Sequence, residues 1–135
     1  MKLFVMTDLE GVSGVVGRSD GIGNRIENLP EARELLTEEV NATVEGLVRG
    51  GADEVMVADG HGGSNSILAS RLHPRAQLLR VGRPRFPANW ALDESFDAAV
   101  QIGAHAMMGV PDGFLHHTFN SHGITKLEIN GRVVG

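Results

Sequence analysis

A chain of 135 residues, 41% hydrophobic and 21% charged, has the size and composition of one folded domain and excludes wholesale disorder. Its net charge of −5 argues against a general nucleic-acid binder, and no stretch reaches the ~18 apolar residues of a membrane helix. Cysteine is absent, which removes disulfides, thiolate-ligated metal, iron–sulfur clusters and thiol nucleophiles together. Glycine is in excess, 18 residues or about twice the ~7% average, and points to tight turns or close backbone approaches.

The N-terminus reads MKLFVMTDLEG. Lys2 to Thr7 is a short β-favouring apolar run, a predicted buried strand. Asp8 and Glu10 interrupt it too early for a secretory signal, so a cytoplasmic protein is expected. Residues 11–24, with Gly11, Gly14, Gly17, Gly21 and Gly23, read as a loop. A helix is predicted from Asn28-Leu29-Pro30, with Asn28 as N-cap, a stripe of Leu36, Val40, Val44 and Leu47, and a stop at Gly50-Gly51. A second buried strand spans Asp53 to Ala58 and is followed by the tight loop Asp59-Gly60-His61-Gly62-Gly63. A short helix capped by Ser64 or Asn65 is predicted to run to Leu72 and stop at Pro74. Gln77 to Val81 and Ala98 to Gly103 are further strands; between them residues 82–97 show no clear element. Ile124 to Ile129 alternates and leads into Asn130-Gly131, a strong hairpin signal. This order predicts an α/β fold over residues 1–135: a mostly parallel sheet flanked by helices, with an added C-terminal hairpin. The last strand has only about four residues against the usual ~5–6, so the C-terminus reads as interrupted.

Chemistry collects at the strand ends. Asp8 and Glu10 follow the first strand, Asp59 and His61 the second, and His105 the strand at 98–103. Open α/β sheets bind ligands beyond the carboxyl ends of their strands. Mixed carboxylate and imidazole ligands suit zinc and similar divalent ions. Taken singly, Asp8 and Glu10 can be solvated loop charges, the Asp59 loop can be a turn, and His105 can be a satisfied semi-buried histidine. Three such groups in register on one sheet edge are harder to dismiss, and on pattern alone a metal site stands level with the plain readings.

The remaining candidates read more plainly. His73, at a helix end before Pro74, is structural. One of His116, His117 and His122 can serve as a general acid or base, and each can equally be a loop histidine. Ser121 beside His122 is adjacency in sequence and not evidence of a triad. Glu38 and Glu39 belong to the polar face of the first helix. Arg80, Arg83 and Arg85 can hold a substrate carboxylate, with a solvated loop or subunit contact as the simpler reading. Met107-Met108 is packing, and Phe86 and Trp90 can cover a site or fill an interface.

An ordered set of motifs resembles the zinc-dependent D-aminopeptidase family (the DppA-like metallopeptidases). Asp8-Leu9-Glu10-Gly11-Val12-Ser13-Gly14 resembles its D-x-E-G-[IV]-[SG]-G start, and Thr37-Glu38-Glu39-Val40-Asn41 its T-E-E-x-N helix segment. Asp59-Gly60-His61, Leu72-His73-Pro74 and Gly103-Ala104-His105-Ala106 resemble its D-[SG]-H, L-H-P and G-[YA]-H-A steps. Ile129-Asn130-Gly131-Arg132 with Val134-Gly135 resembles its hairpin. The resemblance runs the length of the chain but covers the N-terminal half of a typical member, where the hairpin's V-G is followed by a glutamate ligand.

The resemblance implies two zinc ions held by Asp8, Glu10, His61 and His105, with Asp8 shared between them. It implies a catalytic histidine at His117, with His116 in competition because the intervening segment is one residue longer. It further implies a ring-like homo-oligomer that releases N-terminal D-amino acids, such as D-alanine, from short peptides. Neither nucleic acid nor membrane is expected as a partner. The alternatives are a metal-binding or oligomer-forming half-chain without catalysis, a dinuclear hydrolase of another amide or ester, and a plain domain without metal.

Overall fold

The computed structural model describes residues 1–18, 25–80, 91–119, 124 and 126–135. The apolar run after Met1 forms strand β1 (Lys2–Thr7). Gly17–Arg18 (β2) and Arg25–Ile26 (β3) pair antiparallel, so the segment predicted as pure loop carries a short ribbon at its ends. Helix α1 (Leu29–Arg49) begins where Asn28 accepts the amide of Glu31 and ends at Gly50. It is followed by β4 (Glu54–Asp59), β5 (Ala76–Arg80), β6 (Ala98–Ile102), β7 (Leu127–Ile129) and β8 (Arg132–Val134).

Four strands form a parallel sheet in the order β5-β4-β1-β6. One face of that sheet packs against α1. Ala32, Leu36, Val40 and Val44 recur every four residues on the helix and meet Leu3, Val5, Val55 and Val57 from the strands, all of them buried. Leu47 packs partly buried at the end of the same stripe. The hairpin β7–β8 is a separate two-stranded sheet, with Asn130 and Gly131 both at positive φ (51° and 76°), as a tight two-residue hairpin turn requires.

The expectation of a helix over 64–72 is not met. Only a single 3-10 turn forms there, at Ala69–Arg71, and α1 is the sole α-helix among the described residues. The reason is tertiary. Asp59 takes the amide protons of Ser66 and Ile67, Thr37 Oγ1 takes that of Leu68, and Ser64 sits at a φ of 56°. Amides bound to side chains from other elements are lost to a local helix. Among the described residues no helix is long and apolar enough to cross a membrane.

The chain proceeds from β1 outward to β4 and β5, then returns to the other side of β1 at β6. Succession reverses beside β1. The crevice at the carboxyl end of such a reversal is where open α/β sheets place ligands.

Candidate metal centre

Two close backbone approaches build the crevice. Asp8 N–H donates to Ile102 O at 2.8 Å, and Gly11 N–H to Gly103 O at 2.9 Å, stitching the β1 exit to the β6 exit. A side chain at Gly11 would overlap the carbonyl of Ala104. One at Gly103, which has a φ of +68°, would overlap the carbonyl of Asp8. Glycine is therefore required at both positions, and its use brings the Asp8 and His105 segments together.

Asp8 occupies the centre. Its Oδ1 lies 3.1 Å from His61 Nδ1, and its Oδ2 lies 3.3 Å from His105 Nε2. Glu10 Oε2 lies 3.0 Å from the same His61 nitrogen. Two groups of potential ligand atoms result: Asp8, Glu10 and His61 on one side, and Asp8, His105 and His117 on the other. Corners of a tetrahedron around a zinc ion bound at 2.0–2.1 Å lie about 3.3 Å apart, and the observed separations approach that spacing. The donor set, two carboxylates and three imidazoles without sulfur, fits a pair of borderline divalent ions.

The histidines are oriented by backbone carbonyls. His105 Nδ1 donates to Ala106 O at 3.0 Å, and His117 Nδ1 donates to Leu115 O at 2.6 Å. A carbonyl only accepts, so both Nδ1 atoms carry protons, and Nε2 is the nitrogen each ring has left for a ligand, that of His105 already beside Asp8. The two rings stack with centroids 3.4 Å apart. Leu115 holds a φ of 46°, an unusual conformation for a branched side chain, next to the site that uses its carbonyl.

Electrostatics bind the three members of the first group tightly to one another. Hydrogen bonds to Asp8 and then Glu10 raise the His61 imidazole to about 10, against the pull of burial. Burial tends to raise Glu10, but the hydrogen bond from His61, aided by Asp8, outweighs it and leaves the carboxyl at about 2. Burial pushes Asp8 up; its hydrogen bond from His61 opposes the rise, and neighbouring Glu10 adds to it. Without metal, one imidazole proton is the positive charge between two carboxylates.

All four predicted ligands, Asp8, Glu10, His61 and His105, are brought together, and His117 joins them. His116 does not: it is exposed and its Nδ1 accepts the Gly109 amide at 3.3 Å. His73 follows the 3-10 turn instead of an α-helix; its Nε2 lies 3.2 Å from Glu45 and its Nδ1 accepts the Arg75 amide. Arg80 is turned to the carbonyl of Ile67 at 2.8 Å and serves the fold rather than a substrate carboxylate. Arg83, Arg85, Phe86, Trp90, Ser121 and His122 lie outside the described residues.

Sequence reasoning missed how α1 supports the site. Glu39, read as a solvated helix charge, accepts the Ser13 amide at 2.9 Å and so anchors the loop after Glu10. Asn41 bonds the carbonyl of Arg71 and the amide of His73. The Thr37-Glu38-Glu39-Val40-Asn41 motif thus fastens two loops, and its polar positions at helical spacing beside buried Leu36 and Val40 were the available signal.

An α/β sheet that gathers two carboxylate–histidine groups sharing one aspartate at its strand ends is a candidate centre for divalent metal. The D-aminopeptidase family, peptidase family M55, matches residues 1–135, and the chain belongs to it. A D-aminopeptidase of Bacillus subtilis (strain 168) is 32% identical over all 135 residues, which correspond to 48% of that relative. The solved structure of the Zn-dependent D-aminopeptidase DppA from Bacillus subtilis, described as a self-compartmentalizing protease, superposes with a TM-score of 0.79 at 32% identity. The whole chain is covered there and 48% of the DppA chain, so this chain spans about half the length of the relatives it matches.

Proposed function

We propose that this chain carries a two-zinc site that hydrolyses the N-terminal peptide bond of short peptides beginning with a D-residue, within a ring-like homo-oligomer. The observation that carries the reading is the placement of Asp8, whose two carboxylate oxygens face different ligand groups. Membership of the D-aminopeptidase family and the zinc dependence of its Bacillus relative support the metal and the substrate class. Asp8, Glu10 and His61 would hold one ion, and Asp8 with His105 the other. Such ions, when bound, would supply Lewis acidity for a scissile carbonyl and a ligand position for a substrate amine.

His117 supplies the proton chemistry. The Leu115 carbonyl holds its Nδ1–H, so Nε2 is the nitrogen left to take a proton from a water as that water's oxygen bonds to the scissile carbonyl carbon. The same proton returns to the departing amine from Nε2. The flanking ring of His105 limits how far His117 can rotate away.

The direct test is release of free D-alanine from D-Ala-D-Ala by the zinc-loaded protein, with L-Ala-L-Ala as the comparison. D-selective release is expected. Bound zinc with no release overturns the catalytic reading and favours a metal-binding half-chain. Release from esters or L-peptides at equal rate favours a hydrolase of another class. His117→Ala should lose most of the rate, on the order of 10²–10⁴-fold for an acid–base group, while His116→Ala keeps it.

A further inference from the structure

His61 stands on a weakly constrained stretch, followed by two glycines whose Cα atoms face open space. Its near end is secured where Gly60 N–H donates to Thr7 O at 3.0 Å. Its far end is secured by a group that takes no part in the metal centre. Asp59 is fully buried, and its Oδ2 accepts the amides of Ser66 at 2.6 Å and Ile67 at 3.0 Å. Arg80, from the neighbouring strand, holds the carbonyl of Ile67 at 2.8 Å. Inside the loop the Ser64 amide donates to His61 O at 2.9 Å. The chain from 59 to 67 is therefore a closed loop with His61 on one limb and the carboxylate of Asp59 tying the other.

We propose that Asp59 is a positioning residue: with Arg80 as its partner, it clamps residues 66–67 and thereby sets His61 between Asp8 and Glu10. A carboxyl oxygen accepting two successive backbone amides away from water makes directional bonds that are costly to break. A loop containing Gly62-Gly63 has many conformations once one end is released. Only the Asp8–Glu10–His61 group depends on this loop. The Asp8–His105–His117 group is built from the β1 exit, the β6 exit and residues 106–117, whereas the Asp59 side chain bonds the amides of residues 66 and 67. The clamp thus acts on one half of the centre and not on the other.

Asp59→Asn tests this. The new side chain's one acceptor can stand where Oδ2 takes both amides, but the NH₂ is then forced into the place of Oδ1, a buried spot with no hydrogen-bond partner, and the cost of that unpaired donor turns the side chain off the two amides. The first readout needs no metal. In ¹⁵N NMR of the metal-free protein, the His61 ring signals should move toward those of a free imidazole while His105 and His117 stay in place. The second readout rests on the proposed two-metal site. Zinc titration of Asp59→Asn should show one site weakened by about 10–100-fold, the range for supporting groups behind a ligand, and the other unchanged. Val44→Ala, a core truncation in α1, should lower the melting temperature without splitting the two sites. Arg80→Ala, at an exposed residue, should shift His61 in the same direction and keeps the test open if Asp59→Asn fails to fold.

Unmoved His61 signals in folded Asp59→Asn, or equal weakening of both sites, overturn the proposal. If the unaltered protein binds no zinc, the two-metal reading fails, and the His61 signals still decide whether Asp59 positions that ring.

Discussion

Asp8 is the residue on which the centre depends most. Each of its oxygens serves a different ligand group, so Asp8→Ala should abolish binding at both, whereas Glu10→Ala should lower the zinc content from about two ions to about one. Metal analysis of the dialysed variants checks this, and retention of two ions by Asp8→Ala would refute the bridging role. The same cluster fixes a pH dependence for the metal-free protein. His61 is raised from 6.5 to about 10, so its ion pairs stabilise the fold fully below 6.5 and are lost as pH rises through 10. Glu10 is lowered from 4.5 to about 2, so its contribution is present above 4.5 and lost as pH falls toward 2. Thermal unfolding with chelator present should therefore lose this stabilisation at both extremes. Added zinc should remove the alkaline loss, because metal takes the place of the His61 proton.

At the scale of elements, the close contact between the β1 and β6 exits decides whether the two ligand groups meet. Gly103→Ala puts a methyl group against the Asp8 carbonyl and strains a left-handed backbone. The expected result is a destabilisation of about 1–3 kcal/mol together with weakened zinc binding, measured by chemical unfolding and metal titration. A fully stable variant with normal zinc content would show that the approach is not needed. The elements also show where sequence was legible. Strand β1, the Asn28 cap and the buried stripe of α1 follow from local chemistry, and they form as expected. The stretch 64–72 does not, because its amides bond to Asp59 and Thr37, residues distant in sequence or turned inward by the sheet. A capping pattern describes what a segment can do alone; it is silent on competing acceptors brought by the fold.

For the molecule as a whole, the proposed ring-like assembly predicts a sedimentation mass several times that of one 135-residue chain, and a strictly monomeric species would refute it. The amino-acid sequence by itself determined the parallel α/β class, excluded thiolate-ligated metal from these 135 residues, and offered Asp8, Glu10, His61 and His105 as candidate ligands. Those follow from composition, from apolar periodicity and from the rule that strand ends deliver side chains to one edge. Only the tertiary structure decided that Asp8 faces both groups, that His117 and not His116 turns inward, and that Arg80 and Glu39 hold loops. These are matters of side-chain direction across segments far apart in the chain. A backbone reversal beside β1, a carbonyl at Leu115 and a left-handed glycine at 103 set those directions, and spacing along the sequence carries no record of them.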